Sequence, residues 1–176
     1  MEMQRLNNTK ATTLYWIQPR WGKPQYELRS DDELFGTLRW LTHVGHDPAL
    51  FVFADGEWKL ITDWWPKTVY ITSLDADIAV SRQERRFSLA RSAIVEFANG
   101  RRFRWRTNFW LTRCVFSGED NGDLLVLKLL SIPQLKIQVD LVHGLEDFPE
   151  ASLLAALGLY VLFALGYLGG FGWFGW

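Results

Sequence analysis

The chain has 176 residues, a formal net charge of −1 and 48% apolar residues, enough for one domain with a sizeable core. Such a balance lacks the strong positive charge of a polyanion-binding protein, and nucleic acid is not an expected partner. The single cysteine, Cys114, excludes a disulfide framework within the chain; it fits a reducing compartment and reads as a buried strand thiol.

Charge is nevertheless segregated along the sequence. Between Arg82 and Arg113 nine arginines face only Glu84 and Glu96, a local net of +7, while the remainder carries −8. Ten tryptophans and twelve phenylalanines favour strands and large buried surfaces.

Residues 1–13 form a polar arm without the apolar stretch of a secretory signal. Leu14 to Gln18 is a first strand, and 19–24, with two prolines and Gly22, is a turn. Gln25 to Ser30 alternates as a half-buried strand, Asp31-Asp32 turn the chain, and Leu34 to Leu41 follows. Gly36 inside that strand suits a bulge or a close backbone approach. Asp55-Gly56 between ALFVFA and EWKLIT predicts a hairpin with a type I′ turn. Lys67 to Thr72, Ile78 to Ser81 and Phe87 to Ala90 are further strands. Asn99-Gly100 predicts a second type I′ hairpin between Ile94 to Ala98 and Arg102 to Arg106. A third hairpin pairs Arg113 to Phe116 with Leu124 to Leu130, and Leu135 to Leu141 is the last strand. About twelve short strands at this spacing predict a sandwich or barrel.

The pattern then changes. Asp147, Pro149 and Glu150 read as a helix start, and the helix is predicted over about 148–168, ended by Gly169-Gly170. Residues 171–176, FGWFGW, form an aromatic tail. A helix apolar on all sides must be surrounded by lipid or by protein. The 19 residues from Glu150 to Leu168, about 28 Å long as a helix, would just cross a bilayer. Its flank is acidic, however, and no Lys or Arg follows Lys136, so the positive flank of a tail anchor is missing. Twelve strands spaced about 4.8 Å and tilted about 40° close to a radius near 12 Å, which leaves a bore for one helix. The expected fold is mainly β: a closed antiparallel barrel of about twelve strands over 14–170, enclosing the hydrophobic helix.

The stretches YWIQPRWGKPQYELRSDDELFGTLRW, DGEWKLIT, NGRRFRWR and PEASLLAALGLYVL carry a resemblance over nearly the whole chain. The chain resembles the Tubby C-terminal-like superfamily, shared by Tubby-like, LURP-one-related and phospholipid scramblase-like proteins, and looks like a small bacterial branch of it. The resemblance implies a hydrophobic helix inside a closed twelve-stranded barrel. The phosphoinositide site of Tubby proteins finds no residue-by-residue match here.

Candidate sites follow from residue types. Arg102, Arg104 and Arg106 alternate with Phe103 and Trp105, which on a strand puts the guanidiniums on one face. With Arg86 and Arg91 they form a candidate anion or lipid-headgroup site, since the guanidinium fork matches phosphate. The competing reading is a solvated face with partners such as Glu84 and Glu96. Trp64, Trp65, Trp173 and Trp176 are candidate interaction residues. His43, His46 and Asp47 lack the further ligands of a metal site, and no metal, cofactor or catalytic residue is assigned. The expected function is a non-catalytic, cytoplasmic binding module recognising anionic phospholipid headgroups at a membrane surface. The alternatives are a protein-interaction scaffold, and a membrane-inserted scramblase-like protein using 151–170 as a span.

Overall fold

The computed structural model describes residues 3–6, 9, 11–20, 22–31, 33–41, 48–64, 67–73, 77–83, 91–119, 122–131, 135–142 and 148–168, with backbone alone at 63, 64, 67, 77–83 and 164–168. It is mainly β, with antiparallel strands in one sheet and one C-terminal helix. The strands are β1 (Thr13–Ile17), β2 (Gln25–Ser30), β3 (Glu33–Trp40), β4 (Ala49–Phe53), β5 (Gly56–Trp64) and β6 (Lys67–Thr72). There follow β7 (Asp77–Gln83), β8 (Ser92–Phe97), β9 (Arg102–Thr107), β10 (Arg113–Ser117), β11 (Asp123–Ser131), β12 (Lys136–Leu141) and the helix α1 (Ala151–Leu168). Each strand pairs with its neighbours in sequence, and β1 pairs with both β2 and β12. The strand predicted at 87–90 lies outside the described residues.

Period-2 patterning determines which side chains face inward. In β1, Leu14 and Trp16 are buried and their neighbours are partly exposed; β4 and β12 alternate in the same way. Strand β10 departs from this, with Cys114 to Phe116 buried throughout. Cys114 and Phe116 point to the core. Val115 points outward, where the register sets it between Arg106 of β9 and Val126 of β11. Long arginine stems beside a valine pair bury it without closing off their own charged ends.

Two turns differ from expectation. Phe53 pairs with Gly56, so the β4–β5 loop is Ala54-Asp55, and neither residue takes the positive φ of a type I′ turn. Gly56 belongs to β5 instead, where a Cβ would sit 2.8 Å from the Trp58 ring. The β8–β9 loop has three residues, 98–100. Phe97 N–H donates to Arg101 O and Gly100 N–H to Phe97 O, with Gly100 left-handed at φ +82°. That is a type I turn closed by a glycine bulge. Gly36 meets its expectation: it lies opposite the irregularity between Leu28 and Arg29, and the Phe53 ring occupies the place of its missing Cβ.

Helix α1 starts three residues later than predicted. Glu150 O accepts the first helical bond, from Leu154 N–H at 2.9 Å, and Ala151 N–H donates to Phe148 O at 3.1 Å. The Glu150 side chain is drawn away from the helix by the β8–β9 turn, as described below. From Ala151 to Phe163 every residue is buried. Strands from both halves of the sheet provide that cover. Trp16 of β1 donates its indole N–H to Ala155 O (3.3 Å), Trp40 of β3 stacks on Tyr160 (4.8 Å), and Tyr26 of β2 meets Phe163 (5.1 Å). The Tyr160 hydroxyl is bonded to that of Thr62 on β5. Across the interior, Phe116 and Leu127 pack on Gly158, where a Cβ would lie 2.5 Å from Leu127 Cδ1. Gly158→Val should therefore destabilise the protein by about 1–3 kcal/mol, although the change favours helix propensity. Urea unfolding would read this; unchanged stability would mean the helix does not approach β10 and β11 so closely. Among the described residues, no helix is long and apolar enough to cross a membrane.

Candidate anion-binding surface

Strand β9 places Arg102, Arg104 and Arg106 outward and exposed, while Phe103, Trp105 and Thr107 are buried, as alternation requires. The arginine row is not bare. Arg102 bonds Glu96 of β8 at 2.9 Å, and Arg106 bonds Asp123 at the start of β11 at 2.8 Å. Hydrogen bonding and charge from Glu96 hold the Arg102 guanidinium above its ordinary value. Arg104 also has interaction partners. Arg91 lies just before β8, partly exposed, with its carbonyl taken by Thr107 N–H. The five-arginine site is thus only partly assembled. Three members share one strand face, Arg91 lies near the end of that row, and Arg86 lies outside the described residues. Exposed ion pairs of this kind are weak, so an arriving phosphate can replace the carboxylates.

The interaction candidates fall mostly beyond description. Trp65, Trp173 and Trp176 are outside the described residues, and Trp64 is described by its backbone, at the end of β5 opposite Lys67. His43, His46 and Asp47 also fall outside. Among the described residues, no group of His, Cys, Asp and Glu could hold a metal ion. Cys114 is buried, and burial raises its thiol pKa.

Sequence reading missed an exposed aromatic turn. Between β9 and β10, Asn108 ties the turn together through bonds to Thr112 and Arg113. This lifts Phe109 and Trp110 into solvent, 45% and 67% exposed, with their rings edge to face at 4.9 Å. An aromatic pair outside any strand, between Asn108 and Thr112, is the signal that was available.

A second polar cluster holds the start of α1. Glu150, buried, accepts bonds from Asn99 Nδ2 (2.5 Å) and Arg101 (3.0 Å), both from the β8–β9 turn. Arg101 also lies over Phe148, which packs edge-on against Phe103. Beside it, Asp55 of the β4–β5 turn bonds Ser152, and burial nevertheless raises its pKa. Two hairpin turns, β4–β5 and β8–β9, thus hold the helix start at one end of the sheet.

On the outer face, Asp140 accepts bonds from Thr13, Gln138 and Lys128. Burial pushes its carboxyl up, but these bonds and the Lys128 charge outweigh it and hold the pKa below its ordinary value. A carboxylate so depressed stabilises the fold above about pH 4, and the contribution fades as pH falls through the folded value. Asp140→Asn should cost up to about 1 kcal/mol at pH 7, with solvent screening limiting the loss, and less near pH 2. Urea titrations at the two pH values check it; an equal deficit at both would refute the linkage.

No protein-family model, curated protein or solved structure matches this chain.

Proposed function

We propose that the chain is a non-catalytic binding module of Tubby-like architecture that recognises anionic phospholipid headgroups at a membrane surface. In this reading its strands close into a barrel around α1. The support for closure is that β1 pairs with β12 on one side and β2 on the other, leaving no strand end of the series unpaired. The observation that carries the functional reading is the outward row Arg102, Arg104 and Arg106, which converts the local positive charge of the sequence into a surface row. Guanidiniums at a surface attract an anionic leaflet and bind phosphate in a planar fork.

Vesicle flotation tests the reading. The protein should rise with phosphatidylcholine vesicles that contain phosphatidylserine, and not with phosphatidylcholine alone. Equal recovery from the two would sink it.

A further inference from the structure

The antiparallel order assigns every strand end to one of two rims. The near rim carries the β2–β3, β4–β5, β6–β7, β8–β9 and β10–β11 connections and the start of α1, as the Asn99 and Arg101 bonds to Glu150 confirm. The far rim carries the other connections and the end of α1, where Phe163 meets Tyr26 and Trp40.

Charge sorts by rim. On the near rim Asp31, Glu33, Asp55, Glu57 and Glu119 are exposed, against exposed Arg5, whose charge acts on Asp55; Arg101 and Arg102 are engaged by Glu150 and Glu96. On the far rim the β1–β2 loop exposes Arg20 and Lys23, β3 ends with exposed Arg39, and β10 begins with exposed Arg113. None of these four pairs with a described carboxylate. Lys136, at the start of β12, lies over the Tyr15 ring. Among the described side chains the one carboxylate at this rim, Glu27, is bonded to Arg29.

Exposed apolar side chains sort the same way. Leu41, Phe109, Trp110 and Leu130 are at the far rim; Val142, near the other, is the least exposed of the five. An indole beside cations is the composition of a membrane-interface contact.

We infer that the far rim is the membrane-docking face, so that the protein stands end-on to an anionic bilayer with the acidic rim pointing away. This rests on the proposal that anionic lipid is the ligand, and goes beyond it by moving the contact from the β9 flank to the rim. A net charge of −1 does not oppose it. At 0.1 M salt, charges act over about 10 Å. Tilted strands of this length separate the rims by about 15–20 Å. The bilayer therefore attracts the basic rim and is largely screened from the acidic one. The opposite-charge match decides for an anionic membrane as occupant, because the aromatic turn suits an interface and has no counterpart among the described residues of the near rim.

The test is partition to vesicles of phosphatidylcholine with one-third phosphatidylserine, by flotation at low and high salt. Each cation near the surface contributes about a fivefold gain in binding. The pair Arg39→Glu and Arg113→Glu, both exposed and expected to fold, should lower partition by more than about 25-fold. Trp110→Ser should remove the binding that survives high salt. Arg102→Glu with Arg104→Glu should lose less than the rim pair. If the wild type ignores these vesicles, the lipid reading itself falls. If it binds, and the flank pair abolishes binding while the rim pair does not, only the docking face is overturned. If the wild type without lipid forms salt-sensitive end-to-end assemblies that the rim pair abolishes, the occupant is a second copy and the membrane-docking inference is overturned.

Discussion

Leu157→Asp should abolish folding. Leu157 is fully buried at the middle of α1, one residue from the contact of Gly158 with Phe116 and Leu127. Losing the leucine side chain alone costs about 2–5 kcal/mol. Burying a carboxylate without a partner adds several more, and the total rivals the whole stability of about 5–15 kcal/mol. The expected observation is the loss of any cooperative thermal transition by circular dichroism. Leu157→Met, which conserves volume, should cost less than about 1.5 kcal/mol. A folded Leu157→Asp protein with a near wild-type melting temperature would mean that α1 is not the core.

The two central tryptophans should separate by their indole N–H groups. Trp16 is fully buried and donates to Ala155 O, and Trp16→Ala should cost about 3–5 kcal/mol in urea unfolding. Trp40 is equally buried and stacks on Tyr160, but its Nε1 has no hydrogen-bond partner among the described residues. A phenylalanine in place of Trp40 keeps a ring against Tyr160 and removes a buried donor that goes unmet. A phenylalanine in place of Trp16 deletes a bond that is made. Trp40→Phe should therefore cost about 1 kcal/mol less than Trp16→Phe. Equal costs would show that the Trp16 bond adds nothing beyond packing.

Much of the local structure was legible because it depends on neighbours in sequence. The alternation of Arg102 to Thr107 specified which face of β9 is buried, and the glycines marked the hairpins near where they occur. What sequence could not supply came from residues far apart. The predicted cap at Asp147 treated Glu150 as part of a local helix signal. Its carboxylate instead answers Arg101, 49 positions earlier, and the helix begins after it. Val115 escaped the alternation rule because its outward burial depends on Arg106 and Val126 of neighbouring strands. Asp55-Gly56 read as a turn, yet the Trp58 ring claims Gly56 for the strand.

The candidate site shows the same division. The arginines of β9 stood out as a motif, but their pairing with Glu96 and Asp123 depends on strand register. The far-rim cations Arg20, Arg39 and Arg113 are scattered over 94 positions of the sequence and share a rim only through topology. The docking face inferred from these described cations thus rests on different residues from those the motif suggested.

The central claim is that α1 is the protein's own core, buried against the sheet without help from lipid. Hydrogen exchange of the amides from Leu154 to Phe163, in purified protein free of lipid and detergent, tests it most directly. Burial of all these residues predicts protection reaching the limit set by global unfolding. Rapid exchange of this segment, or protection that appears only when bilayers are added, would contradict the account.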